Sequence, residues 1–224
     1  MWTHSGPPAI ASDDGEQLAD VGRGIELCYE TFGDPADPPL LLVMGLGMQM
    51  VHWHPALIAQ LVERGLHVIR FDNRDRGRST HVRVKPPSLT QLLTRRFDPA
   101  QYRLEDMAAD TAGLLDALEL DDAHVVGISM GGMIAQTLAA LHPQRVRSLT
   151  SIMSTTGSRW VGQPKPRIYP LLLRPGPRER DRFVEAQLKM LTAIGAPGDL
   201  LDTPEARAYL AGSYDRDPAA VGTA

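Results

Sequence analysis

The residues Gly127-Ile128-Ser129-Met130-Gly131 set a nucleophilic hydroxyl between glycines placed two before and two after it. Such chemistry needs a serine Oγ held clear of its own backbone, with donors nearby for the negative charge that builds on an attacked carbonyl. The flanking sequence supplies the means. An apolar run, His124-Val125-Val126, precedes the pentapeptide, and a helix-forming run from Met133 to Ala140 follows it. In that strand, turn and helix context G-x-S-x-G reads as a nucleophile elbow. The serine is forced into a strained backbone, and Gly127 and Gly131 remove Cβ atoms that would collide as strand and helix close up. The helix N-terminus adds partial positive charge beside the hydroxyl.

A serine of this kind also needs a base, and the chain has no histidine after His142. At about 1.5 Å per residue, His142 lies roughly 20 Å from Ser129 along the elbow helix, far outside hydrogen-bond reach. Its expected role is at the helix end, against the negative pole of the dipole.

The elements that must position the serine follow from periodicity and breakers. Ile25 to Phe32 reads as a strand, closed by the turn-rich stretch from Gly33 to Pro39. Leu40-Leu41-Leu42-Val43-Met44 is a short apolar run suited to a strand buried on both faces, and a loop, Gly45-Leu46-Gly47, follows it. Pro55 opens a helix with Leu57, Ile58, Leu61 and Val62 as its apolar face and Gly65 as its stop. His67 to Phe71 is the next strand. From Leu104 to Leu118 apolar residues recur at three and four, a long amphipathic helix. Val146 to Ile152 is a last strand, expected to end the sheet with an apolar, unpaired edge. Strands alternating with helices argue an α/β fold with a mostly parallel sheet and helices on both faces, functional loops lying at the carboxyl ends of the strands. After about residue 157 prolines and arginines cluster. A helical stretch with Phe183, Val184, Leu188 and Leu191 as its apolar face follows, and no further strand is evident. We therefore read residues 1–156 as the core and 157–224 as part of an α-helical cap over the sheet's carboxyl edge, with Tyr214 to Gly222 as the start of one more helix.

Bulk properties narrow the classes. The chain has 224 residues, enough for one substantial core. Its 43% apolar and 22% charged residues are ordinary for a globular protein. A net charge of −4 gives no reason to expect nucleic acid or an anionic membrane as partner. The single cysteine, Cys28, points to a reducing compartment and so to the cytoplasm. Met1 to Asp20 lacks the basic start and apolar centre of a signal peptide, and no run reaches the roughly 20 apolar residues of a membrane span.

These residues resemble the α/β-hydrolase superfamily, and within it the small-molecule esterase branch that includes aclacinomycin methylesterase. The resemblance is carried by Leu40 to Gly45, by His67 to Asp75, by Gly77-Arg78-Ser79-Thr80, and by His124 to Gly132, in that order. It implies Ser129 as nucleophile and the backbone N–H groups of Leu46 and Met130 as the oxyanion hole. It also implies a cofactor-free reaction on a small-molecule carboxylic ester through an acyl-enzyme, with Trp160, Tyr169 and Leu171 to Leu173 shaping the pocket. Many relatives have His-Gly where this chain has Met44-Gly45. In the superfamily the triad runs serine, acid, histidine along the chain. No triad acid or histidine is identified here, so the resemblance implies a truncated chain with impaired activity.

Other readings of the same residues remain open. A perhydrolase or a thioesterase uses the same elbow, and a non-catalytic binding module would keep the pocket without turnover. His52 and His54 lie near the Gly45 loop and are expected to line a wall or cap a helix. His4, His67, His81 and His124 are expected on the surface or on strands. The Asp72 to Thr80 segment, with two aspartates and three arginines, is expected to be an internally bonded structural loop. Arg174, Arg178, Arg180 and Arg182 read as a solvated face. Asp199, Asp202, Asp215 and Asp217 follow the serine but have no histidine to orient. Phosphate-loop and metal-ligand spacings are absent from the sequence. A serine in the elbow argues against the relatives that attack through a carboxylate. The sequence leaves the oligomeric state open.

Overall fold

The computed structural model describes residues 15–82, 89–94, 96, 98, 101–158, 162–163, 165–172, 176–195 and 203–217. Its centre is a sheet built from β1 (Gln17–Asp20), β2 (Glu26–Phe32), β3 (Pro39–Val43), β4 (His67–Phe71), β5 (Ala123–Ile128) and β6 (Val146–Ile152). The spatial order is β1-β2-β4-β3-β5-β6. Strands β4, β3, β5 and β6 run parallel, whereas β1 and β2 are antiparallel to their neighbours. The sheet is thus mostly parallel around the elbow strand, as expected. The antiparallel hairpin corrects the reading of the N-terminal stretch, which gave Gln17–Asp20 no strand.

The all-apolar β3 is buried along its whole length because it faces two layers. Leu41 and Val43 point to one face, where α3 (Leu104–Ala117) and α4 (Met130–Leu141) cover them with Ala108, Leu114, Leu115, Ile134, Ala135 and Leu138. Leu40, Leu42 and Met44 point to the other face, against Trp53, just before α1 (Pro55–Val62), and Ile58 within it. The strand's period of two therefore serves two cores at once. In α1 the buried pair is Ile58 and Ala59, while Leu57 is 41% exposed. The expected apolar face holds at Ile58, Leu61 and Val62, which pack into this core, and fails at Leu57, with Ala59 buried as well.

Helix α3 carries a feature that hydropathy hides. Asp110 lies on its buried face, 2% exposed, and takes a bidentate pair from Arg74 at 2.5 and 2.6 Å. Arg23 adds a third contact at 2.9 Å. A buried carboxylate needs such partners, since an unpaired one carries a large desolvation penalty.

The remaining α-helices among the described residues are α2 (Leu89–Thr94), α5 (Tyr169–Leu172), α6 (Arg180–Ala193) and α7 (Pro204–Arg216). Val184 and Leu188 of α6 pack on Leu210 and Ala211 of α7, with Phe183 and Leu191 alongside, as the helical spacing indicates. Helix α7 corrects the reading of the C-terminal stretch: Tyr214 to Arg216 end a helix instead of starting one, and Asp217 is its C-cap. Residues 218–222 lie outside the described residues. Strand β6 is an edge strand of the described sheet, with Leu149 and Ile152 at 39% and 37% exposed. No helix among the described residues is long and apolar enough to cross a membrane.

Candidate active site

Ser129 stands between the end of β5 and the first residue of α4, with φ 54° and ψ −118°. An L-residue at these angles is strained, at a cost of order 1–3 kcal/mol, and persists only where surrounding structure enforces it. Four hydrogen bonds do so. The Ser129 amide donates to the Ile152 carbonyl at 2.8 Å. The Ser129 carbonyl accepts from the amides of Gly132 at 3.0 Å and Met133 at 3.2 Å. It also accepts from Ser154 Oγ at 2.7 Å. The strand that follows the elbow helix thus grips the elbow from the side.

The glycines make the bend possible through space. A Cβ on Gly127 would lie 2.3 Å from the Gly131 carbonyl oxygen, and one on Gly131 would lie 2.1 Å from that of Val43. Gly132, which the sequence reading quoted without a role, meets Ser154 in the same way, at 2.6 Å. The doubled glycine after the serine was the visible signal for that close approach.

The side chain of Ser129 is exposed, and its Oγ makes no hydrogen bond among the described residues. The loop after β3 comes alongside: a Cβ on Gly45 would lie 3.3 Å from Ser129 Cβ and 3.9 Å from its Oγ. Leu46 is 48% exposed, and the loop turns on a bond from the Met48 amide to the Gly45 carbonyl at 3.3 Å. Asn73 Nδ2 pins the base of the loop by donating to the Met44 carbonyl at 2.9 Å. Neither the Leu46 amide nor the Met130 amide donates to a protein acceptor among the described residues. An exposed hydroxyl at a helix N-terminus and the Gly45 loop therefore lie side by side at the carboxyl ends of β3 and β5, with the Leu46 and Met130 amides unspent among the described residues.

The described histidines are engaged elsewhere. His54 caps α1, its Nδ1 accepting from the Ala56 amide at 3.2 Å. His52 Nδ1 lies 3.0 Å from both the amide and the carbonyl of Gln49. His81 lies 3.2 Å from the Gly77 carbonyl, and His124 2.7 Å from Ser148 Oγ. His67 is buried on β4, and His142 is the C-cap of α4. His4 lies outside the described residues. The acids are likewise committed. Asp215 forms a bidentate pair with Arg180 at 2.7 Å on the surface. Asp217 is buried, 3.7 Å from His81, a pairing that spacing alone did not reveal. Asp199 and Asp202 lie outside the described residues.

The Asp72 to Thr80 segment is internally bonded, as expected. Asp75 and Thr80 share a backbone bond at 3.0 Å, and Ser79 Oγ donates to the Asp72 carbonyl at 2.7 Å. Of the arginines read as a solvated face, Arg180 and Arg182 form surface ion pairs, and Arg174 lies outside the described residues. Tyr169 donates to Gln163 at 2.8 Å and is 39% exposed, whereas Trp160 and Leu173 lie outside the described residues. A groove of about 380 Å³ between α6 and α7 is lined by Arg180, Val184, Glu185, Arg207 and Ala211, away from the elbow.

His52 gives the site a pH signature. Burial first, and then the nearby Arg216 charge, hold its imidazole down at about 4 despite the Gln49 carbonyl, and its Nε2 is buried with no hydrogen-bond partner among the described residues. The unfolded chain takes up that proton near pH 6.5, and the folded one refuses it until about pH 4. The stability tied to neutral His52 is therefore full above about pH 6.5 and is lost as pH falls below it. We expect a loss of about 2 kcal/mol between pH 7 and pH 5 in urea melts, reduced in His52→Phe. Equal pH slopes in the two proteins would contradict this.

Comparison with known proteins agrees with this fold. The profile of the α/β-hydrolase fold family matches residues 38–208, and the chain belongs to that family. It is 36% identical over 129 residues to rhodomycin D methylesterase DnrP of Streptomyces peucetius, covering 58% of this chain and 39% of the relative. It is 37% identical over 131 residues to rhodomycin D methylesterase DauP of Streptomyces sp. strain C5, with the same coverage. The chain thus spans about two fifths of the length of these relatives. Among solved structures, a hydrolase from Pseudomonas aeruginosa superposes with a TM-score of 0.61 at 25% identity, covering 92% of this chain and 70% of that one. The enol-lactonase of Burkholderia xenovorans LB400 shares the fold, with a TM-score of 0.62 at 24% identity over 92% of this chain and 71% of its own. The chain is of the α/β-hydrolase type, and its relatives include methylesterases and carbamate hydrolases.

Proposed function

We propose that Ser129 is the nucleophile of a serine hydrolase that cleaves carboxylic esters of small molecules through an acyl-enzyme. The observation that carries this is the exposed Ser129 hydroxyl at φ 54°, at the N-terminus of α4 and beside the Gly45 loop. In this reading Oγ bonds to the ester carbonyl carbon as its proton passes to a base. The carbonyl oxygen takes negative charge and rests on the Leu46 and Met130 amides. The alcohol then leaves, and water releases the acid. Residues 1–156 form the core and 157–224 part of a helical cap. The similarity to the two methylesterases favours a methyl ester as substrate. The buried Cys28 supports a cytoplasmic location.

The reading is tested by phenylboronic acid, which mimics the tetrahedral intermediate when a serine oxygen adds to boron. The ¹¹B signal is expected to move to the tetrahedral position with the 224-residue chain and to stay trigonal with Ser129→Ala. A tetrahedral signal that survives the substitution, or none with the parent chain, would overturn the assignment.

A further inference from the structure

We infer that Gln49 is a positioning residue: it sets the loop that carries the Leu46 amide by taking its placement from the last turns of α7. The inference rests on the oxyanion reading above. Gln49 lies three residues after Leu46 and is 6% exposed. Both ends of its amide are used on α7. Nε2 donates to the Ser213 carbonyl at 2.7 Å, and Oε1 accepts from Arg216 Nη1 at 2.9 Å.

The next two residues are tied to the same place. Arg216 Nη1 also reaches Asp72 Oδ2, and Asp72 Oδ1 accepts the Met50 amide at 2.7 Å. Tyr209 of α7 donates to the Val51 carbonyl. Gln49, Arg216, Asp72 and Met50 thus close a ring whose ions are buried, the side chains of Asp72 and Arg216 being 0% and 7% exposed. Glu16 completes the set by pairing with Arg216 Nε at 2.7 Å. Burial works against the Arg216 charge, but its bond to Glu16 and the charge of Asp72 outweigh it and push the guanidinium's pKa up.

The chain around the ring is shaped for it. A Cβ on Gly77 would lie 2.0 Å from Asp72 Oδ2 and 2.2 Å from Arg216 Nη1. The stretch from Met44 to Val51 is therefore anchored twice. One end is held by Asn73 and the elbow, the other by α7 through Gln49, Met50 and Val51. Leu46 sits between the anchors, so the direction of its amide depends on both. An oxyanion donor works only within about 2.7–3.1 Å of the charge, and a displacement near 1 Å loses about a hundredfold. Movement of α7 is thereby transmitted to the site by Gln49.

The test compares Gln49→Leu with Thr203→Ala. The second removes the α7 N-cap, whose Oγ1 accepts from Ala206 at 3.2 Å, without touching the ring. It is expected to lower the melting temperature by about 2–4 °C. Phenylboronic acid affinity and hydrogen exchange of the peptide spanning residues 45–52 are read for both. Gln49→Leu is expected to weaken the boronate at least about tenfold and to speed exchange in that peptide. Thr203→Ala is expected to leave both unchanged. Gln49→Glu, which keeps the acceptor for Arg216 and loses the donor to Ser213, should fall between. Equal losses in Gln49→Leu and Thr203→Ala, or unchanged loop exchange in Gln49→Leu, would overturn the inference. Absence of any Ser129-dependent adduct in the parent chain would instead overturn the hydrolase reading, and the loop exchange would still decide the coupling.

Discussion

Alanine at Gly131 is expected to lower the melting temperature by roughly 6–12 °C and to abolish the Ser129-dependent boronate adduct. The new methyl would lie 2.1 Å from the Val43 carbonyl oxygen and 2.7 Å from that of Met44. Both are backbone atoms at the end of a buried strand, so neither can swing aside. The helix would have to lift from the sheet, against Ile134, Ala135 and Leu138, which are fully buried beneath it. Overpacking of this kind costs about 3 kcal/mol, a large share of a typical stability. Lifting α4 also shifts the Met130 amide and relaxes the strain at Ser129. Gly212→Ala in α7 is the control. A Cβ there meets nothing within 4 Å, so alanine should be neutral or stabilise by about 1 kcal/mol. Calorimetry of the two variants checks the pair. Equal melting temperatures would contradict the packing argument.

Turnover of p-nitrophenyl acetate by the 224-residue chain is expected to lie at least about a thousandfold below an ordinary esterase, with Ser129→Ala changing it only a few-fold. Nucleophile and base act as one unit. Where one is missing, removing the other has little further effect, and what remains is the roughly 10³- to 10⁴-fold acceleration from oxyanion donors and binding. Ser129 Oγ has no hydrogen-bond partner among the described residues, and the described histidines contact Gln49, Ala56, Gly77 and Ser148, cap α4, or, for His67, lie buried on β4. A Ser129-dependent rate at the level of ordinary esterases, about 1–10³ s⁻¹, would contradict that view of the base.

Much of this was legible in the residues alone, for physical reasons that differ from place to place. Leu40 to Val43 could only be a strand covered on both faces, and the structure covers them so. The elbow was legible because steric demand leaves a mark in residue type: glycines stand where a Cβ has no room. Periodicity, by contrast, reports only apolar faces. It missed Asp110, a charge on the buried face of α3, because its partners Arg74 and Arg23 are 36 and 87 residues away in the chain. It missed the Arg216 ring for the same reason, Asp72 lying 144 residues from Arg216. The antiparallel β1 and β2 were hidden because one strand's alternation does not say which way its neighbour runs.

The strain at Ser129 links these levels. A backbone at φ 54° is unfavourable by itself, and the sheet, the Ile152 carbonyl and Ser154 hold it in place. Under the proposed reading, that strain presents the one hydroxyl the chemistry needs.

A crystal structure of the chain with phenylboronic acid tests the central claim most directly. The account predicts boron bonded to Ser129 Oγ, with one boronate oxygen about 2.7–3.1 Å from the amide nitrogens of both Leu46 and Met130. Boron bound away from Ser129, or an adduct whose oxygens meet neither amide, would contradict it.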